Sequence, residues 1–232
     1  MLNVICVKHG IKYSDLHVNR LYNMVKRHLT LPFNFVCFTE NPERCNSSID
    51  IRPLPIVPTI QGWWWKTYIF SDYHFGIEDV NLYFDLDMVI IKNIDKLIDY
   101  ESEHFVGLQD VGRVFNKPDK LGSAVMRWRG HTHKKLWTRI VADPSVTLKY
   151  PGGDQDYIWA FIKDCIKFFP PKWIMSYKWE IRNKKDLIRL NGKNVFKNLA
   201  DPKIDPETAV LAFHGTPNLE DTQDQIIVEN WQ

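Results

Sequence analysis

The stretch Leu82-Tyr83-Phe84-Asp85-Leu86-Asp87-Met88-Val89-Ile90-Ile91 decides the reading of this chain. It is apolar except for two aspartates, and such a run predicts a strand buried in an α/β sheet. Alternate side chains of a strand share a face, so Asp85 and Asp87 are expected to project together. Two carboxylates on one face repel each other, and burying them unpaired costs several kcal/mol. A cation accounts for their tolerance there, and all-oxygen ligation suits Mn²⁺ or Mg²⁺, ions often shared between carboxylates and substrate phosphates. The competing reading runs the strand out into solvent and leaves both aspartates as surface residues.

Strand and helix patterns alternate before this stretch. Asn3 to Lys8 reads as a strand, Ser14 or Asp15 as the cap of a helix reaching about Leu29, and Phe33 to Phe38 as the next strand. Ile49 to Leu54 reads as a further strand, and a helix starting near Gly62 covers Trp63 to Tyr73. Beyond it, strands are expected at Phe105 to Asp110 and Ser123 to Trp128, helices at His131 to Val141 and Asp154 to Cys165, and a closing strand at Val210 to Phe213. This alternation implies parallel pairing with helices over the sheet. A length of 232 residues, 44% of them hydrophobic, suits one compact domain.

Composition narrows the function classes. The net charge of +2 demands no nucleic-acid partner. No apolar stretch approaches the length of a membrane span, and the run Met1 to Val7 is too short for a signal peptide. Cys6, Cys37, Cys45 and Cys165 lack C-x-x-C spacing, which points to reduced thiols and a cytoplasmic location.

Four further groups carry chemistry. Gly152-Gly153 precedes Asp154-Gln155-Asp156 at a helix start. Capping explains one aspartate, whereas the cluster of acceptors and an amide suits a hydroxyl-rich ligand such as a sugar. His214 lies where a strand ends before Gly215, either completing a metal site with Asp85 and Asp87 or forming a structural hydrogen bond. Trp63-Trp64-Trp65 invites sugar stacking, but three consecutive helical residues cannot share a face, which favours packing. Lys66 either reaches a phosphate or stays at the surface, and the basic stretch from Arg182 to Lys197 reads as a solvated face.

In motif order the chain resembles a metal-dependent glycosyltransferase of the GT-A fold, and is most similar to the family 8-like nucleotide-sugar transferases. The order is an N-terminal α/β half, Lys66, Asp85-Leu86-Asp87, the small-residue strand Gly122-Ser123-Ala124, Asp154-Gln155-Asp156, and His214-Gly215. That resemblance implies a nucleotide-binding half over about 1–92 and a sugar and acceptor half over about 93–232. It implies Mn²⁺ or Mg²⁺ held by Asp85, Asp87 and His214. His9, Lys12, Lys66, Asp85 and Ser123 would contact the donor, and Asp154, Gln155 and Asp156 would frame the transferred sugar. The expected partners are a UDP-type or GDP-type sugar and a saccharide or glycoconjugate acceptor. The chain departs from the family twice: Gly122-Ser123-Ala124 replaces Asn-Ser-Gly, and Asn218 stands where a diphosphate-contacting lysine is common. A haloacid-dehalogenase-like phosphatase using the same aspartates, or a nucleotide-sugar-binding protein without catalysis, are the alternative readings.

Overall fold

Alternation along the first strands sets the layers. Val4 and Cys6 pack into one hydrophobic cluster while Ile5 packs into another, and Leu82 and Phe84 are separated from Tyr83 in the same way. A sheet apolar on both faces must be covered on both. The computed structural model describes residues 1–71, 74–115, 119–182, 187–196 and 202–232. Their strands are β1 (Leu2–Lys8), β2 (Asn34–Thr39), β3 (Asp50–Pro53), β4 (Val80–Phe84), β5 (Met88–Ile90), β6 (Phe105–Gln109), β7 (Leu121–Arg129), β8 (Ile166–Phe168), β9 (Ile174–Ser176), β10 (Leu187–Leu190), β11 (Lys193–Phe196) and β12 (Val210–Ala212). The α-helices are α1 (Asp15–His28), α2 (Lys96–Asp99), α3 (Lys135–Ala142), α4 (Asp154–Ile162) and α5 (Gln225–Asn230), and a 3₁₀ helix spans Gly62–Phe70.

Seven strands form one sheet in the order β3-β2-β1-β4-β7-β6-β8. The β1 to β4 strands pair in parallel, β7 runs antiparallel to both β4 and β6, and β8 is parallel to β6. The mixed, mostly parallel sheet thus runs from the N-terminal strands into β6, β7 and β8. One face carries α1 and a three-stranded sheet ordered β5-β12-β9. The other carries the 3₁₀ helix with α3 and α4. No helix of the described residues is long and apolar enough to cross a membrane.

The expected single strand through Leu82–Ile91 is two strands in two sheets. β4 ends at Phe84, the chain turns through Asp85, Leu86 and Asp87, and β5 starts at Met88 in the smaller sheet. Asp85 N–H donates to Ala124 O at 2.8 Å as the last link to β7, and Phe213 N–H donates to Asp87 O at 3.0 Å as the first link to β12. Apolar residues on both sides of the aspartates carry no mark of which sheet each part joins. The aspartates therefore share a turn rather than a strand face. The helix expected to reach Tyr73 ends at Phe70 and has 3₁₀ geometry. Arg182, assigned to a solvated basic face, is instead buried and paired with Asp224. Lys184, Lys185 and Lys197 lie outside the described residues.

Candidate active site

Topology brings the chemistry to one place. β7 is antiparallel to β4 with Phe84 opposite Val125, so Asp85 meets Ala124 and Ser123 follows on the same edge. β12 is antiparallel to β5 with Ala212 opposite Met88, which sets His214 beside the turn holding Asp87. A cleft of about 350 Å³ is lined there by Lys66, Asp85, Asp87, Ser123, Asp154, Gln155 and His214, with Trp63 and Asp110. A second of about 270 Å³ adjoins it and contains His9, Lys12, Tyr13 and Trp65. Trp63, Lys66, Asp85 and Asp87 line both.

Lys66 is buried, not a surface residue. Three residues per turn put Trp63 and Lys66 on one face of the 3₁₀ helix, toward the clefts. Its Nζ lies 2.9 Å from Asp85 Oδ1, 3.2 Å from Asp154 Oδ2 and 3.0 Å from Ser123 Oγ. Ser123 Oγ in turn donates to Asp154 Oδ2 at 2.6 Å, and Tyr83 OH donates to Asp85 Oδ1 at 2.6 Å. Burial pulls the ammonium pKa down, but the Asp154 and Asp85 charges outweigh it and hold Lys66 above its ordinary value. This wall is a closed network of one cation, two carboxylates and two hydroxyls.

Asp87 is less satisfied. Its carboxylate accepts from Tyr13 OH at 2.7 Å, and among the described residues it forms no ion pair. Burial and the Asp85 charge push its pKa up to about 6. His214 Nε2 lies 2.7 Å from Ser176 Oγ, and burial with the nearby Lys178 charge lowers its pKa to about 4, which keeps the ring neutral. A neutral imidazole and two carboxylates, one held at an electrostatic cost, form a donor set that fits Mn²⁺ or Mg²⁺. As they stand, no three His, Cys, Asp or Glu side chains among the described residues are arrayed as a formed metal site.

The remaining residues divide by position. In the second cleft, the His9 ring is 5.8 Å from the Trp65 ring and its Nδ1 is 3.3 Å from Glu40, while Lys12 Nζ lies over the Tyr13 ring. Of the three residues after Gly153, Asp154 and Gln155 line the first cleft. Asp156 does not line it: its carboxylate lies over Gly152 and 3.5 Å from Lys120, because the first turn of α4 rotates it to another side. The tryptophans separate as well: Trp65 is buried, Trp64 half-buried, and Trp63 62% exposed at the cleft mouth. Gly153 has φ +83°, and a Cβ there would meet Trp63 Nε1 at 2.5 Å, so glycine is required for the indole to lie where it does. Tyr83 and Lys178 were given no role from the sequence. Tyr83 was accessible there, since residues i and i+2 of a strand share a face and Tyr83 precedes Asp85 by two.

No protein-family model matches the sequence, and no curated protein matches it. Solved structures do. The glycosyltransferase GlyE of Streptococcus pneumoniae TIGR4 superposes with a TM-score of 0.69 at 10% identity, over 100% of this chain and 62% of GlyE. The galactosyltransferase LgtC, solved with donor and acceptor sugar analogues, gives 0.63 at 11% identity, over 98% of this chain and 94% of LgtC. The bifunctional glycosyltransferase WbbM gives 0.64 at 14% identity, over 99% of this chain and 49% of WbbM. The chain thus spans nearly all of one relative and about half to two thirds of the others. Sheet order, the two-sheet turn at the aspartates and these superpositions agree: the protein has the GT-A fold of these glycosyltransferases.

Proposed function

We propose that the protein transfers a sugar from a nucleoside diphosphate sugar of UDP or GDP type to a saccharide or glycoconjugate acceptor. One observation carries this reading: the Asp85-Leu86-Asp87 turn stands at the junction of two clefts, one with aromatic and basic side chains and one with Asp154 and Gln155. The first suits a base and ribose, through His9, Lys12 and Trp65. The second suits the transferred sugar, with the exposed Trp63 indole as a stacking surface for a sugar's apolar face. The diphosphate of a ligand in both clefts would pass the aspartates.

Asp85, Asp87 and His214 would hold Mn²⁺ or Mg²⁺ there, with Asp85 also contacting ribose. When bound, such an ion neutralises charge developing on the departing nucleoside diphosphate. Lys66 fixes Asp85 and Asp154 in one arrangement, and Ser123 orients the Asp154 carboxylate. Asp154 and Gln155 hold hydroxyls of the reacting sugar.

The test is thermal stabilisation by UDP or GDP, which mass action ties to binding of the native state. It should appear with Mn²⁺ or Mg²⁺ and vanish in excess chelator. Asp87→Ala should abolish it. Stabilisation that survives chelation, or an Asp87→Ala variant with wild-type metal dependence, sinks the metal-bridged site. Hydrolysis of an aryl phosphate that depends on Asp85 would replace transfer by phosphatase chemistry.

A further inference from the structure

Lys178 is a buried ammonium. It is 8% exposed, and among the described residues no carboxylate pairs with it; the face of the adjacent Trp179, 5.1 Å away, is its recorded cation contact. A lone buried charge costs several kcal/mol, so its place in the fold requires a reason.

Position supplies one. β9 is parallel to β12 with Ser176 opposite Ala212, so the residues just beyond each strand end, Lys178 and His214, come out side by side. A Cβ on Gly215 would lie 3.3 Å from Lys178 Nζ, which puts the amine against the backbone of a residue that lines the cleft with His214. Lys178 sits in a π-helical turn, Tyr177–Ile181, a geometry common where a helix is re-aimed for function. The turn is braced. Glu180 Oε2 accepts from Arg113 Nη2 at 2.7 Å and from Ser176 N–H at 2.7 Å, and Ser176 Oγ accepts from Trp179 N–H at 3.1 Å. Asn218, where a lysine is common in the resembled family, is exposed and tied to Asp221. Lys66 is held by Asp85 and Asp154.

Resting on the nucleotide-sugar reading, we propose that Lys178 is the cation that binds the diphosphate of the donor, supplied from the π turn after β9 rather than from the segment after His214. The ammonium contributes a charge-assisted hydrogen bond to a phosphate oxygen and stabilises the leaving diphosphate beside the ion at Asp87.

The experiment measures dissociation constants of UDP, GDP and inorganic pyrophosphate with Mg²⁺ present, and of uridine and guanosine, for wild type, Lys178→Met and Lys178→Arg. Lys178→Met should weaken whichever diphosphates bind by roughly tenfold to a hundredfold and leave the nucleosides unchanged. Lys178→Arg should retain most of the affinity. Without ligand, Lys178→Met should melt no lower than wild type, because a lone buried charge has been removed; Lys178→Gln takes its place if it fails to fold. Equal diphosphate affinity in Lys178→Met and wild type overturns the role of Lys178 while leaving the donor reading intact. If wild type binds none of the three diphosphates, the donor reading and this role both fall. If pyrophosphate binds through Lys178 and neither nucleotide does, the cation site stands and the choice of base is wrong.

Discussion

The two walls of the main cleft are built on opposite electrostatic principles. On the side of the 3₁₀ helix and α4, Lys66, Asp85, Asp154, Ser123 and Tyr83 satisfy one another through contacts of 2.6–3.2 Å. On the side of β5, β9 and β12, the half-buried Asp87 lines the cleft and the buried Lys178 lies against Gly215, and among the described residues neither has an ion-pair partner. The first wall has its counter-ion in the fold and acts as a frame. On the proposed reading, ligand charge of both signs completes the second, a cation at Asp87 and an anion at Lys178. Binding would then be concentrated on one side, with the frame keeping its geometry in the free protein.

The largest test of this asymmetry is Lys66→Met. Removing the cation leaves the buried Asp154 beside the half-buried Asp85, and breaking a buried pair typically costs about 3–5 kcal/mol, here toward the lower end. Urea denaturation should show a loss of that order, whereas Lys178→Met loses nothing. A cost under about 1 kcal/mol for Lys66→Met would mean that the frame relaxes and the walls do not differ.

Next comes the pair Asp154→Asn and Asp156→Asn. Asp154 is 6% exposed and lines the cleft, while Asp156 lies over Gly152 outside it. Sugar transfer should fall by roughly a hundredfold or more in Asp154→Asn and by less than about threefold in Asp156→Asn, with UDP or GDP affinity nearly unchanged in both. Equal losses would return Asp156 to the site.

That division marks the limit of what the sequence made legible. The parallel strands β1, β2 and β4 were readable because apolar alternation and helix caps are local signals. So was the proximity of Asp85 and Asp87, which neighbour each other in sequence. The switch of sheets between Phe84 and Met88 was not, since the apolar run Leu82–Ile91 looks the same whether it joins one sheet or two. Lys178 was illegible for a related reason. Its place beside His214 follows from β9 pairing with β12, strands separated by more than thirty residues, and nothing local distinguishes a buried lysine from an exposed one. Trp63, Trp64 and Trp65 needed the threefold turn of the 3₁₀ helix to be sorted into mouth and core.

Gly153→Ala probes the mouth of the cleft, where the frame borders the proposed sugar site. At φ +83° and ψ −154° the backbone of Gly153 lies in a region kept almost to glycine, a cost of about 1–3 kcal/mol, to which the 2.5 Å approach to Trp63 Nε1 adds a clash. Adding Trp63→Ala should remove the clash and leave the backbone cost. The coupling between the substitutions, measured by urea denaturation of all four proteins in the cycle, reports the contact itself. Additive effects would show that the indole does not rest on Gly153.

The last test concerns pH, and it separates the cleft from the rest of the molecule. His133 lies away from both clefts, with its ring 5.0 Å from that of Phe105 and 6.4 Å from that of Phe70, and burial lowers its pKa to about 4. The unfolded chain protonates this histidine near its ordinary value of 6.5, so between about 6.5 and 4 the unfolded state binds more protons than the folded one. Stability is therefore full above 6.5 and is lost as the pH falls toward 4. His133→Phe removes that term and keeps an aromatic ring of similar volume. The drop in Tm between pH 7 and pH 4.5 should be smaller in His133→Phe than in wild type by several degrees, the order expected for about 2 kcal/mol. The drop should also be independent of Mg²⁺ and UDP in its His133 part, because the ring touches neither wall. An unchanged pH profile in His133→Phe would transfer the acid sensitivity to groups in the cleft, and the contrast between an ion-paired wall and an unpaired one would then have to include protonation of the second.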